Sequence, residues 1–153
     1  MKSESSIVAA PKLTKEQARA IVAPLYEALN EPAKKDVAAL LAQAANPDYR
    51  SCSTLTDCLD RESLGQVFKM MGKMVPNLKW KIKEVWVAEN KIIVLGEASG
   101  TPTGTFFAIL PTGRSFTTIS IDVFTIKNGK LSQAYHVENW AGAMAQVKGV
   151  EIL

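Results

Sequence analysis

Two runs decide the fold: Phe116-Thr117-Thr118-Ile119-Ser120-Ile121-Asp122-Val123-Phe124-Thr125-Ile126 and, beyond Asn128-Gly129, Lys130 to Val137. β-branched and aromatic residues fill both runs, and Asn-Gly is a strong hairpin signal, so two antiparallel strands are expected. Successive strand side chains point to opposite faces. Odd positions of the first run give Ile119, Ile121 and Val123, and even positions give Thr118, Ser120, Asp122 and Phe124. Asp122 therefore sits in the middle of an apolar strand. Inside, it must be paired, hydrogen-bonded or protonated, because burying a lone carboxylate is costly. The competing reading is an outward Asp122, wet or at a subunit contact.

The turn decides whether Asp122 shares a face with His136, the one histidine of the chain. A two-residue type I′ turn at Asn128-Gly129 pairs Lys127 with Lys130 and sets Asp122 opposite Tyr135. A three-residue loop, Lys127-Asn128-Gly129 with a G1 bulge, pairs Ile126 with Lys130. Asp122 then lies opposite Ala134 and Ser120 opposite His136, with all four on one face. A one-residue slip switches the outcome. Asn-Gly alone favours the tighter turn, whereas a joint Asp122–His136 site needs the looser one.

Before this hairpin, Leu78 to Val87 and Lys91 to Ala98 alternate as half-buried strands, joined at Glu89-Asn90. Gly100 to Gly104 breaks the sheet, and Thr105 to Leu110 reads as a further short strand. The first half is helical in pattern. Thr14 with Gln17 forms a capping box ahead of the stripe Ala18, Ile21, Val22, Leu25 and Leu29, interrupted by Pro24. Pro32 opens a second helix carrying Val37, Leu40 and Leu41, which ends before Asn46-Pro47-Asp48. Asp60 caps a third, with Leu64, Val67, Phe68 and Met71 inward. Asn139 caps a last helix, Trp140 to Val147, ended by Gly149. Helices followed by short-turn strands define an α+β domain, with helices on one face of a strongly curved, mixed or antiparallel sheet. Such a sheet makes a cone around its helices, and the apolar cavity inside is the place for chemistry.

The chain has 153 residues, 47% hydrophobic and 22% charged, so one globular domain is expected over residues 14–149. Residues 1–13 read as a flexible leader and 150–153 as a tail. No apolar run approaches the roughly 20 residues needed to span a bilayer. One histidine and two cysteines make a zinc site improbable, and no cofactor is expected. Net charge is +3, and the densest basic stretch, Lys79, Lys81 and Lys83, reads as a solvated strand face rather than a nucleic-acid surface. Cys52 and Cys58 lie close enough to bond, but a core of this size needs no staple. A reduced pair in the cytoplasm is expected, with an exported form, trimmed of its signal, as the alternative.

Beside a carboxylate, a histidine near neutral pKa can shuttle protons, which makes His136 and Asp122 the candidate catalytic pair. The bland alternative for His136 is a rim histidine bonded to backbone. Tyr26 follows Val22 by one helical turn, and its hydroxyl is a candidate donor to a carbonyl or enolate oxygen. Trp80, Ser120, Phe124, Glu138, Asn139 and Trp140 are the expected pocket residues. Glu138 points the same way as His136 and reads as a rim carboxylate or a lysine partner.

The order Gly100-Thr101-Pro102-Thr103-Gly104, Pro111-Thr112-Gly113-Arg114-Ser115-Phe116, Ile121-Asp122-Val123-Phe124 and Asn128-Gly129-Lys130-Leu131 resembles SnoaL-like polyketide cyclases. Tyr135-His136-Val137-Glu138-Asn139-Trp140 and the Leu25-Tyr26 segment extend the resemblance over roughly residues 14 to 149. It implies the cone-shaped nuclear transport factor 2-like fold, shared with ketosteroid isomerase and limonene epoxide hydrolase and commonly dimeric through the outer sheet face. It also implies cofactor-free acid–base closure of an enolisable polyketide. Asn139 stands where the family's catalytic aspartate is expected, and asparagine cannot exchange a proton at neutral pH. The leading expectation is an enzyme acting on an apolar carbonyl compound, with His136 as acid or base, Asp122 orienting it and Tyr26 steadying an oxyanion. The alternatives are a non-catalytic ligand-binding or dimerisation module and, third, epoxide hydrolysis using Asp122 and Glu138. The partners expected are a small apolar ligand and a second copy of the chain, without nucleic acid or membrane.

Overall fold

The computed structural model describes residues 13–150. The expected leader and tail lie almost wholly outside them. The helices are α1 (Lys15–Glu27), α2 (Val37–Ala44), α3 (Arg61–Met74) and α4 (Trp140–Lys148). The strands are β1 (Ala45–Cys52), β2 (Cys58–Asp60), β3 (Lys79–Ala88), β4 (Lys91–Gly100), β5 (Phe116–Lys127) and β6 (Lys130–Glu138). They form one sheet in the order β2-β1-β6-β5-β4-β3. Only the β1–β6 pairing is parallel, so the sheet is mixed. The α+β expectation holds.

Local chemistry sets the helix boundaries. Thr14 and Gln17 close the expected capping box on α1, and Asp60 Oδ1 accepts from Ser63 N at 2.8 Å to start α3. Asp36, not Pro32, caps α2; Pro32–Lys34 is a separate 3₁₀ turn. Gly149, at φ 79°, ends α4 in the left-handed conformation that glycine adopts without cost. Asn30 ties the end of α1 to β3: its side-chain amide donates to the Tyr26 and Trp80 carbonyls and accepts from Trp80 N. The core fills the space between helices and sheet with Val22, Val37, Leu41, Leu78, Ile92 and Phe124, all essentially inaccessible to water.

The structure corrects three further expectations. Ala45–Cys52 is a strand, not the end of a helix and a turn. Its register along β6 jumps between Ala45 and Arg50, and that irregularity accommodates Pro47, which cannot donate to a ladder. Thr105 to Leu110 holds only an isolated bridge, Phe106 to Ile109, because Phe107 and Ala108 adopt positive φ and turn the chain back. Cys52 and Cys58 form a disulfide. They are direct partners across β1 and β2, so the hairpin brings the sulfurs together whether or not the core requires a staple.

Candidate active site

Hairpin register was the open question, and the structure answers it with a third solution. Asn128 (φ 55°) and Gly129 (φ 76°) form the tight turn, and Lys127 pairs with Lys130. A bulge then intervenes: Ile126 pairs with Leu131, but Thr125 pairs with Gln133, leaving Ser132 unmatched. This slip sets Asp122 directly opposite His136, neither Tyr135 nor Ala134. Leu131, Ala134, His136 and Glu138 turn inward while Tyr135 and Val137 are exposed. The two candidate groups thus share the inner face although the turn is the tight one.

That face borders a cavity of about 650 Å³ between the sheet and helices α1 and α3. Aliphatic, methionine and aromatic side chains supply most of its wall, among them Leu64, Phe68, Met71, Trp80, Phe116 and Trp140. Asp122, His136 and Glu138 are the acid–base groups that β5 and β6 bring to it, Tyr49 and Ser51 of β1 also line it, and Asp57 stands on its wall in the loop between β1 and β2. Phe124 lines it as expected.

Two hydrogen-bonded sets meet here. The Tyr26 hydroxyl donates to Asp122 Oδ2 in a buried bond. Burial pushes the Asp122 carboxyl up to about 6, with the Glu138 charge adding to it, while the Tyr26 bond and His136 pull the other way. Burial and the adjacent Asp122 together raise the Tyr26 phenol well above its ordinary range. In the second set His136 Nδ1 lies 2.7 Å from Glu138 Oε2, and Trp140 Nε1 donates to Glu138 Oε1 at 3.2 Å. The bond to Glu138 raises the imidazole pKa above its ordinary value, against burial.

Several expected roles change. Glu138 is not a lysine partner: it holds the histidine, the job expected of Asp122. Tyr26 is not among the residues lining the cavity; its proton goes to Asp122. Ser120 also stands behind the wall, accepting from Trp80 Nε1 at 2.9 Å. A Cβ on Gly96 would come within 2.6 Å of Ser120 Oγ and 2.9 Å of Trp80 Nε1, so this bond requires glycine there. Asn139 is exposed and caps α4, its Oδ1 accepting from Gly142 N at 2.9 Å, so it is no pocket residue. Among the described residues, no group of three or more His, Cys, Asp or Glu side chains gathers as metal ligands do. No described helix is long and apolar enough to cross a membrane. Tyr49 escaped the sequence reading because its strand did; the alternation of Tyr49 and Ser51 ahead of two nearby cysteines was the available signal.

A helix-covered curved sheet with a deep apolar cavity is the nuclear transport factor 2-like arrangement. The chain belongs to the SnoaL-like polyketide cyclase family, whose profile it matches over residues 22–147. Among solved structures it resembles TsrD from Streptomyces laurentii, at 21% identity and TM-score 0.77, covering 91% of this chain and 100% of that one. A protein provisionally described as a SnoaL-like polyketide cyclase, from Jannaschia, aligns at 16% identity and TM-score 0.76, covering 94% and 99%. IdmH from Streptomyces antibioticus, provisionally described as a polyketide cyclase, aligns at 21% identity and TM-score 0.73, covering 86% and 99%. At such identities the likeness speaks for the fold alone. No protein of curated function matches the sequence.

Proposed function

We propose that the chain is a cofactor-free acid–base enzyme of cyclase or isomerase type, acting on a small apolar, carbonyl-bearing molecule in the cavity. The observation that carries this reading is Asp122 opposite His136 on the wall of an apolar cavity, each with its own hydrogen-bond partner. Asp122 is the base: with a pKa lifted to about 6 it is ionised at neutral pH yet more basic than an ordinary carboxylate. Tyr26 positions it. His136, held protonated by Glu138, is the acid, with Nε2 left for the ligand.

In an intramolecular aldol closure, Asp122 takes a proton from the carbon next to a carbonyl, and the C–H electron pair becomes the enolate. The enolate carbon forms the new C–C bond at a second carbonyl, whose π pair moves onto oxygen. His136 gives that oxygen a proton, and the proton on Asp122 returns to the imidazole through solvent. Epoxide hydrolysis finds less support, because Glu138 is committed to His136 and Trp140. Asn139, standing where the resemblance places an acid, favours the alternative of a non-catalytic ligand-binding module. An aryl 1,3-diketone in deuterated buffer separates the readings. We expect wild-type protein to catalyse deuterium uptake, seen by mass spectrometry, and Asp122→Asn to lose it by about 10²-fold or more, while His136→Ala, which lacks only the later proton donor, loses less. Binding without uptake by the wild type would favour the module. Uptake unchanged in Asp122→Asn would end the enzyme assignment.

The outer sheet face supports pairing with a second copy of the chain. Trp86, Ile119, Ile121, Tyr135 and Val137 are all exposed there, with Val137 at 62%. The disulfide favours an oxidising compartment over the cytoplasm, and so the exported alternative.

A further inference from the structure

The acid–base reading leaves one requirement without a residue. Removing a proton beside a carbonyl puts charge on the carbonyl oxygen, and an apolar cavity stabilises that charge only through a donor aimed at it. Tyr26 cannot serve while its proton is given to Asp122. On β1 stands another phenol. Tyr49 is 1% exposed and faces inward, and it lines the cavity together with Ser51, Asp122, His136 and Glu138.

We propose that Tyr49 is the hydrogen-bond donor to the ligand's carbonyl oxygen, the group that stabilises the enolate. The inference rests on the acid–base reading above. It stands on placement: Tyr49 comes from the strand on the far side of β6 from β5, so a ligand between them meets donor and base from different directions. Its neighbour along the strand supports the role. Ser51, two residues along β1, is buried on the same face and lines the same cavity, so the strand brings two hydroxyl side chains to the cavity wall. The phenol, Asp122 and Tyr26 lie within electrostatic reach of one another. Burial and the Asp122 charge hold its pKa high, so it remains a neutral donor across the working pH range. During the step its O–H bond stays intact; it donates a hydrogen bond and no proton changes owner.

The test uses 4-nitrophenol, whose phenolate carries an enolate-like oxyanion on a flat apolar body, and naphthalene as an uncharged probe of cavity integrity. Asp122→Asn imitates the carboxyl after it has taken a proton, so this variant should bind the phenolate about tenfold or more tighter than wild type. In that background, Tyr49→Phe should weaken the phenolate about tenfold to 10²-fold and raise the bound phenol's pKa, read from its visible absorption. Naphthalene affinity should move less than about twofold, because phenylalanine keeps the ring. Tyr49→Met removes the same hydroxyl, should weaken the phenolate to a similar degree, and keeps the test open if Tyr49→Phe folds poorly. Unchanged phenolate affinity in Tyr49→Phe or in Tyr49→Met, with naphthalene still bound, overturns the donor assignment and leaves the acid–base reading standing. If instead Asp122→Asn binds the phenolate no better than wild type, Asp122 does not face the reacting oxygen, and the acid–base reading itself fails.

Discussion

The two faces of β5 and β6 invert the ordinary pattern. An antiparallel sheet commonly turns apolar residues to the core and polar residues to water. Here Thr118, Ser120, Asp122, His136 and Glu138 turn inward, while Ile119, Ile121, Tyr135 and Val137 turn out. The inner polar groups are satisfied one by one. Thr118 donates to the Asn139 carbonyl, Ser120 accepts from Trp80, and Asp122 accepts from Tyr26. Satisfied buried polar groups add little net stability, and a buried carboxylate subtracts from it. Stability comes instead from the helix side and from β4, where Ile92 and Val94 are inaccessible. On the proposed reading, a ligand accounts for the inner row and a second copy of the chain for the outer one.

Asp122→Asn breaks the comparison hardest. Activity on a carbonyl substrate should fall by about 10³-fold, while the protein becomes more stable at pH 8. The sign follows from linkage. A carboxyl raised to about 6 in the folded state, from 3.8, keeps its proton longer there than in the unfolded chain. Stability is therefore full below pH 4, falls as pH rises toward 6, and stays lower above it, by about 3 kcal/mol at most. Asparagine removes that loss and keeps an oxygen for Tyr26. Urea unfolding of wild type and variant at pH 4 and pH 8 measures it; identical pH dependence would mean the carboxyl is not held as described.

The outer row calls for the opposite outcome. Ile121→Asp together with Val137→Asp should turn a dimer into a monomer in sedimentation velocity, with far-ultraviolet circular dichroism unchanged. Both residues are already exposed, so the isolated chain loses little. A wild type that sediments as a monomer leaves the apolar row without the partner assigned to it.

What could be read from the residues depended on how local the cause was. Capping boxes, the Asn128-Gly129 turn, the Asp60 cap and the alternation of β5 act within a few residues, and the sequence displays them. β1 was hidden because its partner, β6, is remote in the chain and because Pro47-Asp48 imitates a loop. The Ser132 bulge was hidden because nothing in Lys130-Leu131-Ser132-Gln133 marks it; packing Leu131 and Ala134 on the same core fixes it. His136 and Asp122 were therefore recognisable as candidates, while their partners were not. Glu138 and Tyr26 gained their roles from cross-strand and helix-to-sheet geometry, and Tyr49 came with the missed strand.

The disulfide sits where the two faces meet. The loop it closes contributes Thr56 and Asp57 to the large cavity and Thr54 and Leu55 to a shallow groove on the outer face. Replacing both Cys52 and Cys58 by serine should cost about 2 kcal/mol, the chain-entropy value for so short a loop. Thermal unfolding with and without a dithiol reductant checks it. The reductant should lower the wild-type midpoint to that of the variant and leave the variant unmoved.

The finest separation concerns the two hydrogen-bonded sets within the inner face. With Asp122 as base and His136 as acid, kcat/KM rises as Asp122 ionises near pH 6 and falls as the imidazolium loses its proton at higher pH, giving a bell. Tyr26 stabilises the ionised carboxyl, so Tyr26→Phe should move the acid limb to higher pH and leave the alkaline limb in place. Glu138 holds the imidazole proton, so Glu138→Gln should move the alkaline limb to lower pH. Between the limbs each variant should lose only a few-fold, about the worth of one hydrogen bond. The limbs belong to an interacting pair, and Glu138 also raises Asp122, so Glu138→Gln should draw the acid limb down slightly as well. A uniform loss of rate with both limbs fixed would show that Tyr26 and Glu138 only pack the site. Opposite shifts, acid limb up for one and alkaline limb down for the other, would assign separate partners to a base and an acid that face each other across β5 and β6.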